Sequence, residues 1–110
     1  MTYEVTVREE AERDIELLFN YYEDIRVGLG HDLLLCIEDA FSKIERKPLS
    51  YKKIYKELRR VIVRRFPYRV FYFVAESKVI VTAVFHAQKD PVSWQNRNNE
   101  VGGNKGNPTN

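Results

Sequence analysis

Leu58–Val74 reads LRRVIVRRFPYRVFYFV, and Val79–Trp94 follows it as VIVTAVFHAQKDPVSW. Apolar and polar residues alternate through both stretches, and valine, isoleucine, phenylalanine and tyrosine dominate them, as expected of paired strands. The first stretch carries five arginines; the second ends in a histidine, a lysine and a tryptophan. Pro67 cannot donate to a strand ladder, so Phe66–Pro67 is expected to turn the chain. The expected strands are therefore Leu58–Arg65, Tyr68–Val74 and Val79–His86, with Ala75–Lys78 as a polar turn and a short strand Lys53–Tyr55 ahead of them.

Upstream, the period changes. Ala11, Ile15, Leu18, Phe19, Tyr22 and Ile25 recur at helical spacing, and Leu33, Leu34, Ile37, Ala40, Phe41 and Ile44 do so again. Gly28 and Gly30 separate the two runs, while Pro48 follows Arg46–Lys47 where a helix would stop. This predicts an antiparallel helix hairpin, its second helix over His31–Lys47. Tyr3–Val7 (YEVTV) alternates like a first strand, and Thr6 with Glu9 has capping-box spacing. Asp90–Pro91 resembles an N-cap and N1 proline opening a short helical turn through Trp94. The expected fold is α+β: an N-terminal strand, an αα-hairpin, then a C-terminal antiparallel sheet. It forms one domain over residues 1–97, with an Asn/Gly-rich tail, 98–110, too poor in apolar residues to order itself.

Composition narrows the function. The 110 residues hold 44% hydrophobic and 31% charged side chains, which is ordinary for a soluble globular domain. No apolar run is long enough to span a membrane. A single cysteine, Cys36, excludes an intrachain disulfide, suits a reducing compartment and reads as a buried thiol; a cytoplasmic location is the expectation. The net charge of +2 conceals a division. Residues 1–39 carry three Lys/Arg against eleven Asp/Glu, and residues 40–110 carry fifteen against five. Between Arg46 and Arg69 there are ten cations and one acid, Glu57. Either the halves neutralise each other in the fold or one face is kept for an anionic partner.

On alternation, Val61 and Val63 share one face of their strand, which leaves Arg60, Ile62 and Arg64 on the other. Guanidinium groups there suit phosphate or carboxylate, although strand arginines are commonly just solvated. His86 is the side chain of this stretch that titrates near neutrality, a candidate proton carrier or a structural residue at a strand end. The target-contact candidates are Lys52, Lys53, Lys56, Arg60, Arg64, Arg69, His86, Lys89 and Trp94. No metal site is expected from one cysteine and two distant histidines, and no cofactor from a chain without a glycine-rich phosphate loop.

The segment RRFPYRVFY (Arg64–Tyr72), the ending VFHAQKDPVSWQNR (Val84–Arg97) and the placement of Ala11 and Asp14 in EEAERDIE resemble the RelE/ParE superfamily of bacterial type II toxins. The resemblance covers about residues 3–97. It implies the β-α-α-β-β-β fold and a cognate antitoxin, whose partly disordered acidic segment wraps the toxin in a hetero-oligomer. RelE-like members cleave messenger RNA on the ribosome without metal. By position Arg64 matches a catalytic arginine, Lys89 falls near a second catalytic cation, and His86 falls near a histidine used in some branches. Gln95 roughly replaces the C-terminal tyrosine of the ribosome-dependent members. The H-x-x-K-D-P-x-x-W ending, His86–Trp94, is closer to ParE-like plasmid-stabilisation toxins, which poison DNA gyrase. The resemblance therefore favours a non-enzymatic gyrase inhibitor over a ribonuclease, with an inactive antitoxin-binding relative as a third reading.

Overall fold

The computed structural model describes residues 2–102. Its elements run β1 (Glu4–Val7), α1 (Glu9–Ile25), α2 (Leu29–Arg46), a 3₁₀ turn (Pro48–Ser50), β2 (Lys53–Tyr55), β3 (Leu58–Ile62), β4 (Tyr68–Ala75), β5 (Lys78–His86) and α3 (Pro91–Gly102). The five strands form one sheet in the order β1-β5-β4-β3-β2. The expected α+β class holds. The sheet is mixed, because β1 returns through the helix hairpin to pair parallel with β5 while the other pairings are antiparallel.

That parallel pairing corrects the expected capping box. Thr6 lies within β1 opposite Ile80, and the Arg8 N–H extends the ladder to the Val81 carbonyl. Arg8 is the N-cap of α1, with no side-chain cap. Helices α1 and α2 cover one face of the sheet. Ala11, Leu33, Cys36, Ile37, Ala40 and Ile44 are buried there against Val61, Val63, Val70, Tyr72, Val79, Val81 and Val84. Ile25 of the expected α1 stripe remains exposed.

Two glycines close the hairpin. Gly28 adopts φ 95°, in the left-handed region, and caps α2. A Cβ on Gly30 would lie 2.7 Å from the Phe19 carbonyl oxygen, so only glycine lets the helices approach this closely. Glu23 on α1 accepts hydrogen bonds from the Gly28 and Gly30 N–H groups at 2.8 and 2.9 Å. These otherwise orphaned donors at the start of α2 are thus satisfied from the neighbouring helix.

The β3–β4 connection departs from the expected strand. β3 ends at Ile62, because Phe66 folds into the core beside Tyr22, at 5.3 Å between ring centroids. Arg65 takes φ 72° in this turn. Arg64 and Arg65 consequently face α2, at 3.5 Å from Asp39 and 3.9 Å from Asp32.

Strand β5 carries a bulge at Thr82, since Phe71 pairs with Ala83 and Tyr72 with Val81. The extra residue exchanges faces. Val79 and Val81 face the hairpin before it and Val84 after it, whereas Ala83 and Phe85 join Leu58, Phe71 and Trp94 in a second cluster on the opposite face. There Trp94 stacks on Phe71 at 5.3 Å and 21°.

Asp90 caps α3 as expected, accepting the Val92 N–H at 3.0 Å ahead of Pro91. The helix does not end at Trp94, and it includes Asn98–Gly102 of the expected tail; residues 103–110 lie outside the described residues. The added turns have anchors that composition hides. Arg97 Nη1 donates to Asp14 Oδ2 at 3.0 Å and to the Thr82 carbonyl at 2.9 Å. Asn99 Oδ1 accepts from Lys56 Nζ at 3.3 Å. The same Asp14 oxygen accepts the Val84 N–H at 3.0 Å.

Three tests follow from these contacts. Gly30→Ala, which would gain about 1 kcal/mol in an open helix, is expected to cost about 1–3 kcal/mol in urea unfolding because of the clash. The Gly28 N–H, then Gly30 and His31, hold the Glu23 carboxyl below its ordinary value of 4.5. A lowered carboxylate contributes its stability above the unfolded value and loses it as pH falls through the lower folded value. The difference in thermal midpoint between wild type and Glu23→Gln should therefore be full at neutral pH and shrink below about pH 4. Arg97→Ala leaves Asp14 and the Thr82 carbonyl without their partner. With the two side chains only 18% and 14% exposed, the expected loss is about 2–3 kcal/mol, with a reduced near-ultraviolet Trp94 signal as α3 loosens.

Candidate functional site

The chemistry-bearing residues fall on two surfaces, and the Thr82 bulge decides which residue goes where. His86 pairs with Tyr68 at the end of β5, on the hairpin side. Its ring meets Tyr68 edge-on at 5.5 Å, and its Nδ1 accepts the Gln88 N–H at 3.0 Å, so Nε2 faces outward. Between α1 and β5 lies a cleft of about 310 Å3, lined by Leu17, Leu18, Tyr68, Phe85, His86 and Lys89 among others. Leu17 and Tyr21 stand exposed on the adjoining α1 surface.

Within the cleft, Tyr68 and Tyr22 share a hydroxyl hydrogen bond of 3.2 Å. Burial, then Tyr22, pushes the Tyr68 hydroxyl well above its ordinary value. It is a neutral donor or acceptor at physiological pH, not a base. Lys89 lies over the Phe85 ring at 5.3 Å. The cleft is thus largely apolar, with the Asp14 carboxylate, one imidazole and one ammonium in its lining.

The second surface is the opposite face of the sheet beyond α3. Arg60 pairs with Phe71 and Ile62 with Arg69, so both arginines emerge on that face as cross-strand diagonal neighbours. Burial, then Arg69, lowers the Arg60 guanidinium from its ordinary value, although it stays charged. Among the described side chains no carboxylate lies within ion-pair distance of either. Two neighbouring cations without counter-charge are a costly arrangement that an anionic partner would relieve.

The other candidates separate from these. Arg64 is engaged with Asp39 on α2, so it does not project with Arg60 as alternation predicts; the chain has left the ladder before it. Of the suggested catalytic trio, only His86 and Lys89 share a cleft. Trp94 is 9% exposed and stacked on Phe71, so its ring packs α3 against the sheet. Lys53 pairs with Glu57 at 3.0 Å, Lys56 bonds Asn99, and Lys52 is exposed. Arg59 donates to the Leu49 and Tyr51 carbonyls and holds the 3₁₀ turn. Sequence reasoning missed Asp14 and Arg97 as a pair, because no spacing rule links residues that far apart in the chain.

The description of the ParE toxin of the type II toxin-antitoxin system parDE matches residues 5–91. Toxin ParE2 of Mycobacterium tuberculosis is 28% identical over 92 residues, covering 83% of this chain and 88% of the relative. Among solved structures, the chromosomal ParDE toxin-antitoxin system of P. aeruginosa superposes with TM-score 0.69 at 9% identity, over 76% of this chain and 95% of that one. The RelBE2 toxin-antitoxin complex of Mycobacterium tuberculosis gives 0.57 at 24% identity, over 78% and 99%. These two likenesses concern the fold. The family match spans most of the chain, and the protein belongs to the ParE toxin family of type II toxin-antitoxin systems.

Proposed function

We propose that this toxin acts as a ParE-like inhibitor of DNA gyrase in the cytoplasm, without catalysis of its own, and that a cognate antitoxin neutralises it. The observation that carries the choice of target is the position of Arg64. Metal-independent RNA cleavage by the residues considered above needs both cations, Arg64 and Lys89, at the phosphate beside His86, which moves the proton. Arg64 is paired with Asp39, whereas His86 and Lys89 line the α1–β5 cleft, and the nearest tyrosine there is held neutral. Arg60 and Arg69, unpaired among the described residues, support an electrostatic contact with a protein–DNA target rather than a reaction centre. The apolar cleft, with Leu17 and Tyr21 exposed beside it, supports the docking of an amphipathic antitoxin segment.

The deciding experiment adds purified toxin to gyrase, ATP and relaxed plasmid while transcript integrity is followed in cells expressing it. Loss of supercoiling with intact transcripts is expected, and Arg60→Ala/Arg69→Ala should weaken inhibition by about tenfold or more. Unchanged supercoiling at excess toxin, or cleaved transcripts, would overturn the assignment.

A further inference from the structure

The cleft between α1 and β5 carries two polar groups that the fold leaves without an ionic partner. The Lys89 N–H donates to the His86 carbonyl at 2.9 Å, and the Ala87 N–H ties the same turn to the Pro67 carbonyl at 2.8 Å. One short, anchored turn therefore holds His86 and Lys89, and both line the cleft. His86 Nδ1 accepts the Gln88 N–H, so the neutral ring carries its proton on Nε2 and presents an outward donor. Lys89 adds an ammonium close to the Phe85 ring. Among the described side chains no carboxylate lies within ion-pair distance of His86 or Lys89. Asp14 also lines the cleft, but its oxygens are already engaged. Oδ2 accepts the Val84 N–H and Arg97 Nη1, and Oδ1 accepts Arg97 Nη2 at 3.4 Å. The remaining walls are the side chains of Leu17, Leu18, Val84 and Phe85, with Tyr68, whose hydroxyl is bonded to Tyr22.

From this geometry we infer a binding site for a small amphipathic carboxylate. Its head meets the His86 Nε2–H and the Lys89 ammonium, and its body lies on Leu17, Leu18 and Phe85. One ammonium and one neutral donor balance a single negative charge. A phosphate dianion would bring a second charge into a largely apolar cleft that already holds Asp14, and burying it uncompensated is costly. A volume of about 310 Å3 is at the small end of ligand pockets, which limits the body to a short chain or a single ring. The walls are in place before a ligand arrives, because Asp14 ties α1 to Val84 of β5; little ordering then opposes binding. A ligand in the cleft also excludes the antitoxin segment proposed above, so the two compete. The inference goes beyond the gyrase reading and does not depend on it.

The test titrates octanoate into the isotope-labelled full chain and follows backbone amide and imidazole signals by nuclear magnetic resonance. Saturable shifts at Leu17, Leu18, Val84, Phe85 and the His86 ring are expected, with a Kd of about 1 mM or tighter. 1-Octanol, which keeps the chain and lacks the charge, should bind about tenfold more weakly. Lys89→Met keeps an apolar stem beside Phe85 and removes the ammonium, so octanoate affinity should fall by about tenfold. His86→Asn retains an acceptor for the Gln88 N–H, withdraws the outward donor and should also weaken binding. Lys89 is exposed, so its variant tests the head-group site even where the histidine variant disturbs the turn. No saturable shift, equal binding of octanol, or unchanged affinity in Lys89→Met would overturn the site. So would shifts confined to the face that carries Arg60 and Arg69. Cleft shifts with a capped glutamate–leucine peptide and none with octanoate would overturn it too, by assigning the cleft to a protein segment alone. Supercoiling plays no part in the readout, so failure at this cleft and failure of the gyrase assignment are separately visible.

Discussion

One carboxylate holds three elements of this protein in register. Asp14, on the middle of α1, accepts the Val84 N–H of β5 and the Arg97 guanidinium of α3 on the same oxygen, while Arg97 also takes the Thr82 carbonyl. A bulge leaves ladder groups unpaired, and buried backbone groups without partners are expensive. Asp14 and Arg97 supply partners of opposite kind to the two sides of this bulge. They also fasten α3, which otherwise meets the sheet through Trp94 and the rings around it. The arrangement is charge-assisted and part-buried, so removing either member exposes the need for the other.

The bulge that this pair stabilises governs the chemistry of the surface. With strict alternation after Val81, His86 would lie on the same face as Arg60 and Arg69, and an imidazole beside two free guanidiniums would resemble a phosphoryl-transfer centre. The inserted Thr82 moves His86 to the hairpin side, onto Tyr68, and leaves the arginines with Phe71 and Phe85. A one-residue shift thus separates proton carrier from anion clamp.

Much of this fold was legible in sequence because it rests on local periodicity. Both helices, the strand pair around Pro67 and the proline-led start of α3 follow from spacing and from backbone chemistry. The departures come from tertiary contacts. Thr6 has the residue type of a cap, yet β5 claims its backbone. Arg64 has the phase of a strand residue, but Phe66 draws the chain into the core first. Asn98–Gly102 have a tail's composition, although Arg97 and Asn99 anchor the helix there. Of the candidate site, the types of residue were legible and their faces were not, since phase along β5 depends on a bulge that Asp14, remote in sequence, helps to fix.

The division of charge between the two halves of the chain resolves into two populations of cations. Arg64, Arg65 and Lys43 meet Asp39 or Asp32 of the acidic half, and Arg97 meets Asp14. Neutralisation within the fold accounts for these. Arg60 and Arg69 lie on the face remote from the acidic hairpin, so the sheet itself separates them from the hairpin's carboxylates. Charge density along Arg46–Arg69 was therefore a poor guide to which cations are free, because sheet topology decides it. Arg60 and Arg69, without an ion-pair partner among the described residues, are adjacent on paired strands. Strands fix the spacing of the two charges, which a basic loop of equal charge would not do.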